Sequence, residues 1–329
     1  MSKNNGSNSD FTSAFREIFN IFVERRNFDT NALGGIHEKY WIESGEKKFL
    51  FKFNGTEKDY SDFGEVLTSY ICSILNINCV KSMFSYDLFS DKEKRGVIVL
   101  DYRDKNTEEV ISLKALCEKY MGGYGSVDIS VKKAEQLVKF YADDANLEID
   151  KNLFSELKIM ALIDYLLLQE DRHKNNIEFL IENIDGRKII KIAPMFDNAF
   201  CLFLNRKPFQ VKRIMENYRD NIGLENNFSN PFPRLYIGKS NVGNEDINFF
   251  VNELAVELIK NKRLMKLYKN FCALDLNKVL NTVGKFCDRP LPSERKELAL
   301  TGVNYRIKLL NLELIKLQSK RGEENEIVL

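Results

Sequence analysis

With 49 basic against 48 acidic side chains over 329 residues, the chain has a formal net charge of +1. The length suits one large two-lobed domain or two ordinary domains, and 44% hydrophobic residues are enough for a sizeable core. So balanced a charge provides no overall field that would attract nucleic acid or an anionic membrane, and we expect no nucleic-acid partner. No uncharged apolar run reaches the roughly 18 residues of a membrane-spanning helix, so no transmembrane segment is predicted.

The cysteines and the N-terminal residues bear on the compartment of the protein. Six cysteines are scattered among apolar neighbours without a Cys-x-x-Cys pair, which favours buried, reduced thiols over disulfides or a zinc site. Residues 1–10 are rich in Asn, Ser and Gly and predict a disordered lead-in with no signal peptide. These features predict a soluble, cytoplasmic protein, and the sequence leaves its oligomeric state open.

Strand patterns dominate the first part of the chain, after one amphipathic helix predicted over 10–26. Gly34 and Gly35 precede an apolar run, as in a hairpin turn or a phosphate-binding loop, and both alternatives stay open. Residues 47–53 alternate between phenylalanines and a second face that includes Lys52, which predicts a strand.

Lys52 has two interpretations. By itself it is a typical solvated strand residue. Alternatively, it reaches into a cleft and binds nucleotide phosphates, held by a carboxylate on the following helix. That helix is predicted over 61–75 and carries Glu65, so a Lys52–Glu65 ion pair is within reach.

Two further strands are predicted over 80–89 and 96–102. The apolar run of the second strand is typical of a strand that is buried on both faces. It emerges into a polar segment, as a hinge between two lobes would. The backbone groups of Leu100, Asp101 and Tyr102 are therefore predicted to meet the edge of an adenine.

Helical periodicity dominates the remaining chain, which predicts an N-lobe over 11–103, a C-lobe over 104–319 and a tail over 320–329. The helix predicted over 153–169 is apolar nearly all round and is expected to be the buried centre of the C-lobe. Asp164 inside it is interpreted as a structural hydrogen-bond partner. The other helices are predicted over 131–141, 246–268, 274–287 and 293–319.

A polar turn at 171–176 lies between the central helix and a hairpin predicted over 177–192. Phosphoryl transfer needs a carboxylate that positions a hydroxyl group and takes its proton, together with an amide oxygen that helps to hold a magnesium ion. Asp171 and Asn176 supply these two groups. A second carboxylate, Asp197, follows the hairpin and is the candidate metal ligand from another segment.

Two motifs carry a resemblance to HipA-like serine/threonine kinases, whose catalytic-loop and metal-loop motifs they are similar to. They are Asp171-Arg172-His173-Lys174-Asn175-Asn176 and Ala193-Pro194-Met195-Phe196-Asp197. The resemblance implies an α+β, two-lobed protein-kinase-like fold with a small β-rich N-lobe and a larger helical C-lobe. It also implies ATP and Mg²⁺ as cofactors, a protein substrate with a Ser or Thr acceptor, autophosphorylation and a bacterial effector, and it leaves export into host cells without a signal peptide open.

The resemblance also assigns roles to single residues. It makes Asp171 the base that orients the acceptor hydroxyl, Asn176 and Asp197 the magnesium ligands, Lys52 the phosphate-binding lysine and Glu65 the partner of Lys52. Gly34 and Gly35 would belong to the phosphate lid, and the Leu100–Tyr102 hinge would hold the nucleotide. Arg172 and His173 are interpreted as residues that shape the turn.

The sequence departs from conventional kinases at two places. The metal loop has Phe196-Asp197-Asn198 where those kinases have Asp-Phe-Gly, and a full glycine-rich signature is missing around Gly34 and Gly35. A phosphoinositide-type lipid kinase, which also uses an Asp-Arg-His-x-x-Asn loop, is one alternative, and a small-molecule kinase is another. A pseudokinase that only binds nucleotide is the third.

Overall fold

The structure is a computed structural model that describes residues 39–44, 47–53, 60–87, 94–104, 106–122, 129–220, 234–237, 247–287 and 289–320. The lead-in, the helix predicted over 10–26, Gly34, Gly35 and the end of the tail lie outside these residues. None of the helices within the described ranges is long and apolar enough to cross a membrane.

An antiparallel four-stranded sheet forms the N-lobe, in the order β1-β2-β4-β3. Its strands are β1 Lys39–Ser44, β2 Lys47–Phe53, β3 Ser82–Asp87 and β4 Lys94–Leu100. The predicted alternation of β2 is confirmed, because Phe49, Phe51 and Phe53 are buried whereas Leu50 and Lys52 are partly exposed on the opposite face. The phenylalanines join Tyr40 and Ile42 in a small apolar cluster that is separate from the main core.

Helix α1, Ser61–Ile74, packs against the sheet through β3 and β4 and brings Glu65 to its underside. The helix lies very close to the chain that follows the metal loop. A Cβ atom at Gly64 would come within 2.7 Å of the Ala199 carbonyl oxygen, so a side chain at this position would clash with backbone. Gly64 therefore sets the distance between α1 and the metal loop, and with it the position of Glu65.

The chain leaves β4 at Leu100 and enters β5, Thr107–Ser112, through a short polar hinge. Strand β5 was not predicted from the sequence. All six of its side chains are partly or fully exposed, on both faces, so the strand has no buried apolar face that the sequence pattern could reveal. Pairing with the strand Glu178–Ile184 defines it instead.

The C-lobe has a second four-stranded sheet, in the order β5-β8-β9-β7. Strands β7 Glu148–Ile149, β8 Glu178–Ile184 and β9 Arg187–Ile192 complete it, and β8 and β9 form the predicted hairpin. Asp185 and Gly186 join the two strands with φ of 52° and 80°, the positive values that a two-residue type I′ turn requires. Asp197 lies five residues after the end of the hairpin at Ile192.

Nine α-helices lie within the described ranges, and those after α1 build the C-lobe. They are α2 Leu113–Met121, α3 Val131–Asp144, α4 Leu153–Leu166, α5 Pro208–Arg219, α6 Ile247–Lys260, α7 Lys262–Cys272, α8 Leu276–Lys285 and α9 Ser293–Lys320. Two short strands, β6 Ile129–Ser130 and β10 Leu235–Tyr236, pair in parallel. Helix α4 is buried nearly all round and is the centre of the lobe, as predicted.

The single helix predicted over 246–268 is wrong, because the chain forms two helices, α6 and α7, that meet at Asn261. The Asn261 side chain accepts a hydrogen bond from the Leu264 N–H and so caps the start of α7. The apolar periodicity continues across the break, and for that reason the sequence pattern did not reveal it.

All six cysteines are free. Four are buried as predicted: Cys72, Cys117, Cys201 and Cys287. The expectation of buried thiols is wrong for the other two, since Cys79 is partly exposed and Cys272 is exposed near the end of α7.

Candidate active site

A cleft of about 810 Å³ lies between the N-lobe sheet and the polar turn of the C-lobe. Its volume is typical of a small-molecule site. Seven of the eight described residues that the sequence predicted for the site line this cleft, namely Lys52, Leu100, Asp101, Tyr102, Asp171, Asn176 and Asp197. Glu65 lies just behind it and contacts the Lys52 side chain.

Lys52 is held between two carboxylates. Its ammonium nitrogen lies 2.8 Å from Glu65 Oε1 and 3.0 Å from Asp197 Oδ1, so the ion pair that the sequence predicted with Glu65 is present. Burial opposes the charged form, but the two carboxylates outweigh it and raise the pKa of Lys52. Glu65 Oε2 also accepts a hydrogen bond from the Asn198 N–H at 3.0 Å, which ties α1 to the metal loop.

The polar turn is closed by its own hydrogen bonds. A short 3₁₀ helix, Lys174–Asn176, follows His173, and the Asn176 N–H donates to the His173 carbonyl at 2.8 Å. The Asn176 side-chain amide donates to the Asp171 carbonyl at 2.8 Å. Its amide oxygen forms no hydrogen bond within the described ranges, so this oxygen is available to a ligand in the cleft.

The Asp171 carboxylate lies about half-buried at the bottom of the cleft. Burial raises its pKa, the nearby His173 and Arg234 side chains oppose that rise, and the negative charge of Asp197 adds to it. His173 Nε2 lies 3.9 Å from Asp171 Oδ1. A carboxylate whose pKa is raised towards neutrality is a better proton acceptor than an ordinary one.

Arg172 connects the polar turn to two other segments. Its guanidinium is fully buried and donates to the Asp164 carboxylate of α4, with the shortest contact to Oδ2 at 3.1 Å. It also donates to the Phe196 carbonyl and to the Asn198 side-chain oxygen. Asp164 therefore has the structural role that the sequence predicted, and Arg172 fixes the metal loop relative to the polar turn.

Asp197 has a left-handed backbone conformation, with φ of 56°, which is uncommon for a residue other than Gly. This conformation and the contacts of Arg172 to the residues on both sides of it orient its carboxylate towards Lys52. Burial by itself would raise the pKa of Asp197, but the charge and hydrogen bond of Lys52, together with the charges of Arg172 and Lys39, outweigh it and lower the pKa to about 2. The carboxylate is 37% exposed to the cleft.

The donor set of the cleft fits Mg²⁺. The Asp197 carboxylate and the Asn176 amide oxygen are hard oxygen donors, and both line the same cleft. Among the described residues there is no cluster of three or more His, Cys, Asp or Glu side chains that could enclose a metal. Mg²⁺ is usually bound by one or two carboxylates together with water and substrate phosphates, so one carboxylate and one amide oxygen are compatible with this ion.

The hinge differs from the sequence prediction in one respect. The backbone N–H groups of Leu100 and Asp101 are not free, because they donate to the carbonyls of Lys81 at 3.0 Å and Lys48 at 2.9 Å. The Tyr102 N–H has no partner within the described ranges. Of these three N–H groups, only that of Tyr102 is available to donate a hydrogen bond to a ligand in the cleft.

Several cleft residues were not predicted as functional. Trp41 on β1 lies opposite Leu50 on β2, and the Arg103 guanidinium lies 5.0 Å from the centre of its ring. Tyr102 was predicted for its backbone only, but its ring also stacks on Phe196, with 5.8 Å between ring centroids, and its hydroxyl donates to Glu178. Only the register of β1 against β2 would have placed Trp41 on the cleft face, and sequence periodicity does not give a register.

The same register places one further unpredicted side chain in the cleft, that of Lys39. It lies directly opposite Lys52 across the two strands. The alternation of β1 shows that Lys39 and Trp41 share one face of the strand, but it does not show that this face borders the cleft.

The sheet, the buried helix and the cleft between them define a two-lobed, kinase-like fold. The structure is similar to that of the proinflammatory kinase CtkA of Helicobacter pylori, with a TM-score of 0.63 and 18% identity over 90% of this chain and 97% of that chain. This likeness confirms the two-lobed, kinase-like fold that the sequence predicted.

Two other solved structures are more distant. A chain of the HipA–HipB toxin–antitoxin complex with operator DNA from Shewanella oneidensis MR-1 has a TM-score of 0.43 and 13% identity over 95% of this chain and 73% of that chain. The aminoglycoside phosphotransferase APH(4)-Ia has a TM-score of 0.28 and 10% identity over 92% of this chain and 98% of that chain. Comparison with protein-family models and with curated protein sequences found no match.

Proposed function

We propose that the protein is an ATP-dependent serine/threonine protein kinase that transfers the γ-phosphoryl group of ATP to a protein hydroxyl group and also phosphorylates itself. The observation that carries the proposal is the convergence of Asp171, Asn176 and Asp197 on one cleft beside Lys52. A base, an amide oxygen, a metal-binding carboxylate and a fixed cation are the groups that phosphoryl transfer uses.

In the proposed reaction, the acceptor hydroxyl donates a hydrogen bond to the Asp171 carboxylate and passes its proton there as the new O–P bond forms. The bond between the γ-phosphorus and the bridging oxygen breaks, and the charge moves to the β-phosphate. Lys52 stabilises this charge from the roof of the cleft. Asn176 and Asp197 would hold Mg²⁺, which neutralises phosphate charge when it is bound.

The acceptor class is tested by supplying radiolabelled ATP and Mg²⁺ with three kinds of acceptor: a casein preparation, vesicles that contain phosphatidylinositol, and kanamycin. We expect label in casein and in the chain itself, and none in the lipid or the aminoglycoside. Label confined to the lipid or to kanamycin would show that the acceptor is not a protein.

Loss of the metal-binding carboxylate is expected to remove Mg²⁺-dependent nucleotide binding. ATP at about 100 times its Kd should stabilise the native protein by about 2.7 kcal/mol, and Asp197→Ala should lose the Mg²⁺-dependent part of that stabilisation. The measurement is the melting temperature with and without ATP and Mg²⁺. Asp143→Ala, which changes an exposed carboxylate on α3, is the matched control. Equal stabilisation of Asp197→Ala and the control would exclude Asp197 as a metal ligand.

The pH dependence of the reaction is expected to follow Asp171. Only the ionised carboxylate accepts a proton, and burial raises its pKa above 3.8. As the pH falls through this raised pKa, kcat/KM should therefore decrease, whereas Asp197 with a pKa of about 2 stays ionised. The measurement is kcat/KM between about pH 4 and 8, with ATP affinity determined at each pH. A rate that is constant over this range at constant ATP affinity would contradict the role of Asp171.

A further inference from the structure

Lys39 is a half-buried cation that lines the cleft. It begins β1 and lies opposite Lys52 on β2, so the two lysines share the cleft face of the sheet. Its ammonium group forms no hydrogen bond and no ion pair with any residue in the described ranges. In this respect it differs from Lys52, which has two carboxylate partners.

The two carboxylate contacts of Lys52 limit the number of hydrogen bonds that it can donate to a ligand. Two of its three N–H donors already point to Glu65 and Asp197. The two carboxylates position Lys52 and leave only one of its donors for a ligand. Lys39 adds a second positive charge on the same face of the sheet, and its ammonium donors have no partner within the described part of the chain.

The surroundings of Lys39 are unfavourable for a cation without a ligand. Burial lowers its pKa, the negative charge of Asp197 opposes this shift, and the like charge of Lys52 adds to it. A partly desolvated ammonium group beside another cation has lost hydration without gaining a partner. An anionic group in the cleft would supply that partner and would remove the repulsion between the two lysines.

We propose that Lys39 is a second phosphate-binding lysine, which contacts the terminal phosphate groups of a nucleoside di- or triphosphate while Lys52 stays paired with Glu65 and Asp197. The proposal rests on the proposed function of the cleft as a nucleotide site. Its ligand is the polyphosphate and not the base, so Lys39 should distinguish ADP from adenosine.

The test is isothermal titration of the full chain with ADP and with adenosine, both without Mg²⁺ so that the metal ligands play no part. For Lys39→Gln we expect the Kd for ADP to rise about 10- to 100-fold, the loss for one hydrogen bond between charged groups. The Kd for adenosine should stay unchanged. Lys39→Arg should retain ADP binding, because a guanidinium also donates to phosphate.

Lys47→Gln is the matched control, since Lys47 is an exposed lysine of the same hairpin and does not line the cleft. It should bind ADP as the unaltered chain does. Trp41, the single tryptophan of the sequence, lines the cleft and gives a second, fluorescence readout of ligand binding for every variant. Melting temperatures without ligand verify that the variants fold.

The inference fails if the unaltered chain binds ADP and Lys39→Gln binds it equally well, or if ADP and adenosine lose affinity to the same extent. Failure of the proposed function gives a different pattern. A chain that binds ADP through Lys39 but transfers no phosphoryl group to any acceptor would retain the phosphate-binding lysine and overturn the kinase. A chain that binds no ADP would overturn both.

Discussion

Replacing Asp171 by Asn is expected to slow phosphoryl transfer by about 10²- to 10⁴-fold while ATP binding survives, the range for loss of a positioned general base. Asn has nearly the same size as Asp but cannot take a proton from the acceptor hydroxyl. The turn should keep its shape, because its hydrogen bonds to residue 171 use the backbone carbonyl, which accepts from His173 and Asn176.

The measurement is the initial rate of label transfer from ATP at saturating Mg²⁺, together with the Kd for ATP. Asp143→Asn, which neutralises an exposed carboxylate on α3, serves as the control and should leave both values unchanged. Unchanged turnover of Asp171→Asn would remove Asp171 from the reaction. A parallel loss of ATP affinity would instead point to a disturbed cleft.

Replacing Arg172 by Leu is expected to lower the free energy of unfolding by about 3–5 kcal/mol, the cost of leaving a buried charge without its partner. Arg172 and Asp164 are both about 1% exposed or less, so water cannot replace the lost contact. The guanidinium also holds the Phe196 carbonyl and the Asn198 side chain. The variant should therefore lose activity as well as stability.

Two comparisons separate these effects in urea unfolding. The double variant Arg172→Leu, Asp164→Leu removes both charges and should recover most of the lost stability. It should not recover phosphoryl transfer, because the metal loop still lacks its contacts to Arg172. Lys114→Gln, which breaks an exposed ion pair with Glu118, should cost at most about 0.5 kcal/mol. An equally small cost for Arg172→Leu would contradict the importance of the buried network.

Local patterns predicted the fold best where one face of an element is buried and its turn is simple. The alternation of β2 and the Asp185-Gly186 hairpin are both decided within a few residues, and both were predicted correctly. Strand β5 was missed because its two faces are similarly exposed. The break between α6 and α7 was missed because a single cap at Asn261 interrupts an otherwise continuous apolar pattern.

The candidate site shows the same division. Its groups could be named from their types and their order, since a polar turn after a buried helix and a carboxylate after a hairpin are features of neighbouring residues. The spatial arrangement of these groups could not be predicted from the sequence. Lys52 and Asp197 are 145 positions apart, and their contact depends on how Gly64 lets α1 approach the metal loop.

The sequence by itself determined which functional groups the chain brings to the cleft: Asp171, Asn176 and Asp197, the lysine on a strand and the glutamate on the next helix. Only the tertiary structure decided that Arg172 fixes the metal loop to the polar turn. It also decided that β1 places Lys39, which has no partner among the described residues, beside Lys52. The reason is physical. Side-chain type and periodicity are local properties, whereas strand register and the burial of a charge are set by the packing of segments that are distant in the chain.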